Sequence, residues 1–407
     1  MRAQYDTRDK FDFIMFTAIV LLVLIGFVAI YSSTQNTVTE QNNIYKQVTF
    51  WFVSLAVFSF IYSIPLQTIR TYIIPLYSAS VFFLILVLFL GKVVGGAKSW
   101  IPIGPFSFQP SEMAKVTTIL ALATFMSRPT VNIDNFKDLG YALGIGLLPV
   151  ALILLEPDMG SSLVFFSLIL FMIFWKGISL FSLFVVLSPG IVALASLFGL
   201  PYMLGSLTIV LAVLVLVRKD IFFSGSIFAL NLSAAYFVDE IYSLLSPHQQ
   251  KRIMTFIDPT ADPLGSGYNS LQAIIAVGSG GLLGQGFLEG NQTQLQFIPE
   301  QWTDFIFCVI GEEFGFIGAI IVILLYSILF IRLIRIARIT KDEFSSLVTV
   351  GILIVMFTHF FINVGMVIGV LPVIGIPLPF LSYGGSSLLS NMIMMGLVMN
   401  IYRNLKV

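Results

Sequence analysis

Residues 12–32 read DFIMFTAIVLLVLIGFVAIYS, an apolar run in which only the first residue is charged. The hydrocarbon core of a bilayer is about 30 Å thick, and a helix needs roughly 20 residues to cross it. The run has that length, so it predicts a membrane-spanning helix. It decides the fold class because similar runs follow it along the rest of the chain.

The composition is that of a protein built almost entirely from such helices. Hydrophobic residues make up 57% of the 407 positions and charged residues 10%, and the mean hydropathy is +0.97. These values lie far outside the range of a soluble domain of this length. The ten-residue alternating patterns that a membrane β-barrel requires are absent. The sequence therefore predicts an all-α polytopic membrane protein.

Twelve spans are expected from the apolar runs. They lie near residues 12–32, 47–63, 72–91, 112–127, 139–156, 159–175, 180–198, 201–217, 222–238, 304–331, 346–370 and 381–402. The whole chain is expected to form one membrane domain, with a large polar loop at 239–303. No soluble domain is expected at either end, and the segment before residue 12 is expected to be a cytoplasmic start that is not cleaved.

Lys and Arg are distributed unevenly between the alternate loops, and cytoplasmic loops normally carry the excess. Most of the 21 basic residues lie on the side of the N-terminus; the exceptions are Lys46, Lys92, Lys98, Lys115, Lys251 and Arg252. Both termini are therefore expected in the cytoplasm and the 239–303 loop outside. The net charge is zero and no basic tail is present, so nucleic acid is not an expected partner.

The 239–303 loop contains a polar, glycine-rich island, DPTADPLGSGYNSLQAIIAVGSGGLLGQG at 258–286. Its two Asp-Pro turns hold the carboxylates of Asp258 and Asp262 near the cationic pair Lys251–Arg252. The glycines would let the backbone approach a bulky ligand closely. A nucleotide loop is not indicated, because the Walker A Lys is missing and no strand precedes the glycines. Asp262 could equally be a turn former, since Asp initiates turns by bonding its own backbone.

Two further outward segments carry charge. Glu112 and Lys115 lie three residues apart at the start of a helix, which predicts a local ion pair. Alternatively, Lys115 and the helix N-terminus together attract an anion. Glu156-Pro157-Asp158 joins two spans directly, and Asp158 is expected to cap the second of them. His248 and His359 are isolated in the sequence and do not support a catalytic dyad.

Five motifs together resemble the SEDS family of bacteria, the RodA/FtsW/SpoVE group of peptidoglycan polymerases. The motifs are FQPSEMAK at 108–115, EPDMGSS at 156–162, the island extended to Phe287, IPEQWTDFIFCVIGEEFG at 298–315 and GIPLPFLSYGGSSLLSN at 375–391. They cover nearly the whole chain in the family's order. GSGGLLGQGF followed by NQTQLQFIPE is most similar to the rod-shape, cell-elongation branch.

The resemblance implies glycosyl transfer on lipid II, the disaccharide-peptide carried by undecaprenyl pyrophosphate, to make a β-1,4 glycan strand. The family's essential acidic residue falls on Asp262, which would act as the general base. The cations Lys115, Arg252 and Lys98 would face the pyrophosphate, with Glu112 orienting Lys115. The other residues expected to contact substrate are Asp158, Tyr268, Gln272, Glu300 and Asp304.

The chain departs from the family pattern in two places. Trp302 stands where family members usually have His, so any role of that imidazole is absent. The family core has ten spans, so residues 201–238 are expected to be an inserted hairpin at the edge of the bundle. Packing, rather than catalysis by Ser386, is expected for the last motif, because no base lies nearby in the sequence.

Other functions and partners stay open at this level. A lipid II flippase would need a polar pathway through the bundle, whereas the charges concentrate on the outer side. A non-enzymatic scaffold would recruit a class B penicillin-binding protein, which is also the expected partner of the enzyme, together with other membrane proteins of the elongation machinery. A divalent cation, Mg²⁺ or Mn²⁺, could bridge phosphates and a carboxylate, but the sequence has no His/Cys ligand cluster.

Overall fold

The protein is described by a computed structural model. The described residues are 11–36, 40–94, 96–104, 106–217, 221–238, 240, 243, 250 and 268–405. Asp262 and Asp258, with Lys251 and Arg252, lie outside them, as does His248. The catalytic prediction for Asp262 and the ligand prediction for Arg252 therefore stay predictions.

The described residues form helices with one small sheet. The helices of the first half are α1 Phe13–Thr34, α2 Asn43–Ser63, α3 Leu66–Thr71, α4 Ile73–Leu90, α5 Pro110–Met126, α6 Phe136–Leu155, α7 Met159–Lys176, α8 Leu180–Leu197, α9 Leu200–Val217 and α10 Ile221–Tyr236. Those of the second half are α11 Tyr268–Ser279, α12 Asn291–Gln294, α13 Ile306–Glu313, α14 Gly315–Ile339, α15 Glu343–Val367 and α16 Gly385–Arg403.

Each predicted span contains at least one of these helices, and in the described part of the chain eight helices are long and apolar enough to cross a membrane by themselves. The starts of α1 and α15 are capped by carboxylates. Asp12 accepts from the backbone N–H of Met15 at the start of α1, and Asp342 accepts from Ser345 at the start of α15. Such caps satisfy N–H groups that have no partner within the helix. The fold is therefore the predicted polytopic helical bundle.

The span predicted at 304–331 is wrong in its boundaries. The helix breaks at Phe314, so α13 ends at Glu313 and the long helix α14 begins at Gly315 and continues to Ile339. Gly315 has φ +64°, a left-handed conformation that glycine adopts readily. Continuous hydrophobicity hides this break, because the apolar run passes through both helices.

The segment expected to be a loop at 92–111 contains a three-stranded antiparallel sheet. Its strands are β1 Lys92–Val94, β2 Ala97–Ile103 and β3 Phe106–Phe108, in the order β1-β2-β3. Ile101 pairs with Phe108, and Pro102 with Ser107. The sheet lies against the end of α4 and the start of α5, so it brings the chain to the point where Glu112 begins its helix.

The core of the bundle surrounds α15, the most buried of the long helices. α15 packs against α5, α7, α14 and α16. The paths of these helices define two faces. The face that we call the site face holds the start of α5, the α6–α7 connection and the start of α16. Ion pairs Arg332–Asp12, Arg70–Asp342 and Lys176–Glu343 lie on the opposite face.

Helices α8, α9 and α10 pack on one another around a separate apolar cluster that includes Val192, Leu207 and Ile227. Within it, the buried side chain of Asn231 donates to the hydroxyl of Ser188. The interpretation of 201–238 as an inserted hairpin stays a prediction. The two helices share this cluster with α8, and it is distinct from the main core around α15.

Candidate active site

The start of α5 places two opposite charges inside the bundle. Pro110 occupies the first turn, where its missing N–H costs no helical hydrogen bond. One turn of helix then brings Glu112 and Lys115 together, with Lys115 Nζ 2.8 Å from Glu112 Oε1. Glu112 is 3% and Lys115 1% exposed. The predicted ion pair is confirmed, and it is fully enclosed rather than at the surface.

Two other helices complete this cluster. His359 of α15 lies with Nε2 3.0 Å from Lys115 Nζ. Ser390 of α16 donates its hydroxyl to Glu112 Oε2 at 2.6 Å. Each buried charge is therefore bonded to its opposite and to one neutral group, as the cost of burying ions requires. We call Glu112, Lys115, His359 and Ser390 the buried cluster.

Next to the cluster runs a non-helical segment, residues 376–384, which we call the buried connection. Ile376, Leu378, Phe380 and Leu381 are all nearly inaccessible to solvent. Phe380 has φ +68°, a conformation that costs a non-glycine residue roughly 1–3 kcal/mol and persists only where its surroundings enforce it. α1 makes room for the connection at Gly26, where a Cβ would lie 2.6 Å from the carbonyl oxygen of Leu381.

Side chains from several elements satisfy the backbone of the buried connection. The acceptors are the carbonyls of Ile376, Pro377, Pro379 and Ser382, and the donors are, in that order, Asn363, His359, Tyr326 and Gln47. Non-helical backbone at membrane depth is tolerated only with such partners. The last predicted motif therefore serves packing, as expected, and it also contacts the cluster through His359.

The α6–α7 connection lies on the same face. Asp158 caps α7 by accepting from the N–H of Ser161 at 2.9 Å, as predicted. Gln109 of the α5 entrance donates to Asp158 Oδ2 at 3.4 Å. Glu156 is fully buried, and neither of its carboxylate oxygens has a hydrogen-bond partner. Burial, reinforced by the charge of Asp158, raises the pKa of Glu156 to about 8.

Residues 280–286, which we call the glycine-rich loop, contact the break between α13 and α14. The N–H groups of Gln285 and Gly286 donate to the carbonyls of Glu312 and Glu313, while the carbonyl of Gly281 accepts from Phe316. One loop thereby satisfies the orphan groups of both helix ends. A Cβ at Gly284 would lie 2.1 Å from the carbonyl oxygen of Glu313. Gly284 therefore permits a close approach to protein backbone, whereas the sequence suggested a close approach to a ligand.

The remaining predicted residues are spread along the site face. Lys98 donates to the carbonyls of Leu88 and Phe89, at the end of α4, so its ammonium serves that helix terminus. The backbone carbonyl of Asp304 accepts from Asn363. Its neighbour Trp302 accepts from the N–H of Tyr383. These contacts connect the 298–315 motif to the buried connection.

Tyr268 and Gln272 lie on α11 and are half-buried, whereas Glu300 is exposed. α11 contacts the end of α15 through Ile274, whose side chain approaches Gly369. Their predicted contacts with substrate stay predictions. Among the residues that the structure describes, no group of three or more His, Cys, Asp and Glu side chains could hold a metal ion.

His359 and Ser390 were missed by the sequence reasoning. A signal existed for His359, because it lies four residues before Asn363 in an otherwise apolar helix, and intramembrane polar residues usually have a function. The spacing places both side chains on one face of α15. Nothing in the sequence indicates Ser390, since the contact joins positions separated by 278 residues.

Comparison with known proteins gives a consistent result. The family model FtsW/RodA/SpoVE, described as cell cycle protein, matches residues 12–407. The peptidoglycan glycosyltransferase MrdB of Escherichia coli is 35% identical over 81% of this chain and 78% of its own. The peptidoglycan glycosyltransferase RodA of Treponema pallidum is 32% identical over 97% of this chain and 98% of its own. Stage V sporulation protein E of Bacillus subtilis is 34% identical over 96% and 97%.

Solved structures share the fold. One chain, from a study of the structural coordination of polymerization and crosslinking by a peptidoglycan synthase complex, superposes with a TM-score of 0.73 at 27% identity. The alignment covers 97% of this chain and 98% of that one. The rod shape determining protein RodA of Thermus thermophilus superposes with a TM-score of 0.65 at 25% identity, covering 97% of both chains.

Proposed function

This chain belongs to the FtsW/RodA/SpoVE (SEDS) family and is a peptidoglycan glycosyltransferase, and we propose that it polymerises lipid II into β-1,4 glycan strands. The observation that carries the proposal is the family match over residues 12–407. The relatives MrdB, RodA and stage V sporulation protein E have similar identities to this chain, 32–35%. The motif at 278–298 favours the elongation branch, so the role that we propose is cell-wall elongation and cell shape.

The reaction is a single displacement at the anomeric carbon of the donor sugar. The 4-hydroxyl oxygen of the acceptor forms the new glycosidic bond as the bond to the lipid pyrophosphate breaks. Asp262 takes the hydroxyl proton as general base. Undecaprenyl pyrophosphate leaves with its electron pair, and the configuration inverts from α to β. Unlike a glycosidase, which uses two carboxyl groups, this scheme needs one, because pyrophosphate leaves without protonation.

The two cations that we assign to the pyrophosphate act in different ways. Arg252 is the direct ligand in this scheme. Lys115 is enclosed by Glu112 and His359, so it acts on the departing charge through its field or after its surroundings open. A fixed ammonium in a site without water stabilises a developing negative charge more than a mobile one does. Glu112 supplies the counter-charge of the ammonium.

The site face is the outer face of the membrane in this proposal. The opposite face carries the basic ends Arg70, Lys176 and Arg332, with the first described residues beside Arg332 through Asp12. Cytoplasmic faces are rich in Lys and Arg. Both termini are then cytoplasmic, and the site faces the compartment where glycan strands are made. A class B penicillin-binding protein, which would crosslink the product, is the partner that we propose.

The test compares polymerisation with transport. Purified protein with its partner transpeptidase is incubated with labelled lipid II, and glycan strands are separated on a gel. The same preparation is reconstituted in vesicles that report movement of lipid II between leaflets. Polymer without leaflet movement supports the enzyme. Leaflet movement without polymer would establish the flippase instead. If the complex shows neither activity but still crosslinks glycan strands that are supplied to it, the protein acts as a scaffold.

A further inference from the structure

His359 is bonded on both sides of its ring. Nδ1 lies 3.0 Å from the carbonyl oxygen of Pro377, and Nε2 lies 3.0 Å from Lys115 Nζ. A carbonyl oxygen can only accept a hydrogen bond, so Nδ1 carries the proton. An ammonium can only donate, so Nε2 must present its lone pair. The two contacts together require a neutral imidazole in the Nδ1–H tautomer.

This arrangement makes the ring a rigid link between backbone and charge. Pro377 belongs to the buried connection, whose carbonyls are held by Asn363, Tyr326 and Gln47 as well. The ring is 4% exposed, and α15 packs against the α5 helix that carries Lys115. When the buried connection moves, the ring of His359 therefore moves with it, and so does the Nε2 atom that accepts from Lys115.

Glu112 alone would not fix the position of Lys115. Its contact through Oε1 leaves the flexible four-carbon stem free to move the ammonium around the carboxylate. A second acceptor from another helix restricts Nζ to the region that both acceptors reach. The ion pair within α5 supplies the charge balance, and the contact from α15 supplies the geometry.

We propose that His359 is a positioning residue, whose neutral ring fixes the ammonium of Lys115 relative to the buried connection for glycosyl transfer. It touches neither substrate nor reacting atoms. The inference rests on the proposed function, because Lys115 is placed there as the cation that stabilises the departing pyrophosphate. A displacement of about 1 Å in such a group can reduce the rate by up to about 10²-fold.

Two conservative variants test whether His359 positions the ammonium of Lys115 or only contributes to the stability of the fold. His359→Gln keeps a polar atom at the ε position and can accept from Lys115, whereas His359→Asn keeps one at the δ position and can donate to Pro377. Lipid II polymerisation and thermal unfolding are measured for both, with His359→Leu as the loss variant. Each variant keeps only one of the two contacts, so the inference predicts that both lose most of the polymerisation at unfolding temperatures close to that of the wild type. Polymerisation at the wild-type level by either variant would overturn it.

A spectroscopic measurement tests the contact without using activity. The chain has two histidines, His248 and His359, so ¹⁵N-histidine labelling of the His248→Gln variant isolates the ring of His359. The expected spectrum at neutral pH is that of a neutral Nδ1–H tautomer, and its Nε2 signal should shift in Lys115→Met. An Nε2–H tautomer or an imidazolium would overturn the inference. Absence of polymer from the wild type, with the expected spectrum, would reject the proposed function and leave the contact established.

Discussion

Lys115 Nζ lies 3.0 Å from His359 Nε2, although 244 positions separate the two residues in the chain. His359 also donates through Nδ1 to the carbonyl of Pro377, so its ring connects the Glu112–Lys115 helix start with the buried connection. The contact with Lys115 shows that the charged part of the site is built inside the bundle. The ammonium of Lys115 is therefore already held by protein groups.

The Glu112–Lys115 pair is expected to behave as one unit in stability measurements. Lys115→Met leaves a buried carboxylate without its counter-charge, and removal of one partner of a buried pair costs about 3–5 kcal/mol. Glu112→Leu should cost a similar amount. The double variant should be less destabilised than the sum of the two, as measured by thermal or denaturant unfolding in detergent. Additive losses would contradict the direct pairing.

Gly284 is expected to tolerate no side chain. It has φ +85°, and a Cβ would overlap the carbonyl oxygen of Glu313 at 2.1 Å. Gly284→Ala should lower the free energy of unfolding by more than about 1 kcal/mol. Gly278→Ala is the matched control, because a Cβ there meets nothing within 4 Å. Equal unfolding temperatures for the two variants would show that the loop does not clamp the helix break.

Glu156 is expected to make stability depend on pH. Its pKa is raised from 4.5 to about 8, so between those values the folded state holds a proton that the unfolded state has released. Stability then falls as pH rises through this window, by up to about 1.4 kcal/mol per pH unit. Glu156→Gln removes the group, so it should match the wild type near pH 5 and exceed it above pH 8.

The measurement is the unfolding temperature of both proteins across that pH range. Other groups titrate as well, and they affect both proteins equally, so the difference between the two curves isolates Glu156. A constant difference from pH 5 to pH 8.5 would contradict the raised pKa of Glu156.

The sequence predicted the helices better than their interruptions. Apolar runs located every long helix, because hydrophobic length is what a bilayer selects. The break at Phe314 escaped, since hydrophobicity continues through it. The break depends on Gly315 and on the glycine-rich loop, which contacts both helix ends. The strands at 92–108 escaped for a similar reason, because strands as short as Phe106–Phe108 carry little periodicity.

The site was predictable only where its partners are close in the chain. Glu112 and Lys115 lie one helical turn apart, so helical geometry alone pairs them. Asp158 precedes α7 directly, and its capping role was confirmed. The contacts of His359 and Ser390 with α5 depend on how helices pack, which local spacing does not encode. The ammonium of Lys98 donates to carbonyls at the end of α4, a contact that the sequence does not indicate, and its contact with pyrophosphate stays a prediction.

The central claim, that Asp262 is the general base of glycan polymerisation, is tested most directly by two variants from the same island. Asp262→Asn and Asp258→Asn are purified with the partner transpeptidase, and lipid II polymer is measured on a gel. The account predicts that Asp262→Asn makes no polymer, because the amide cannot accept the hydroxyl proton, and that Asp258→Asn polymerises nearly as the wild type does. Normal polymerisation by Asp262→Asn would contradict the account.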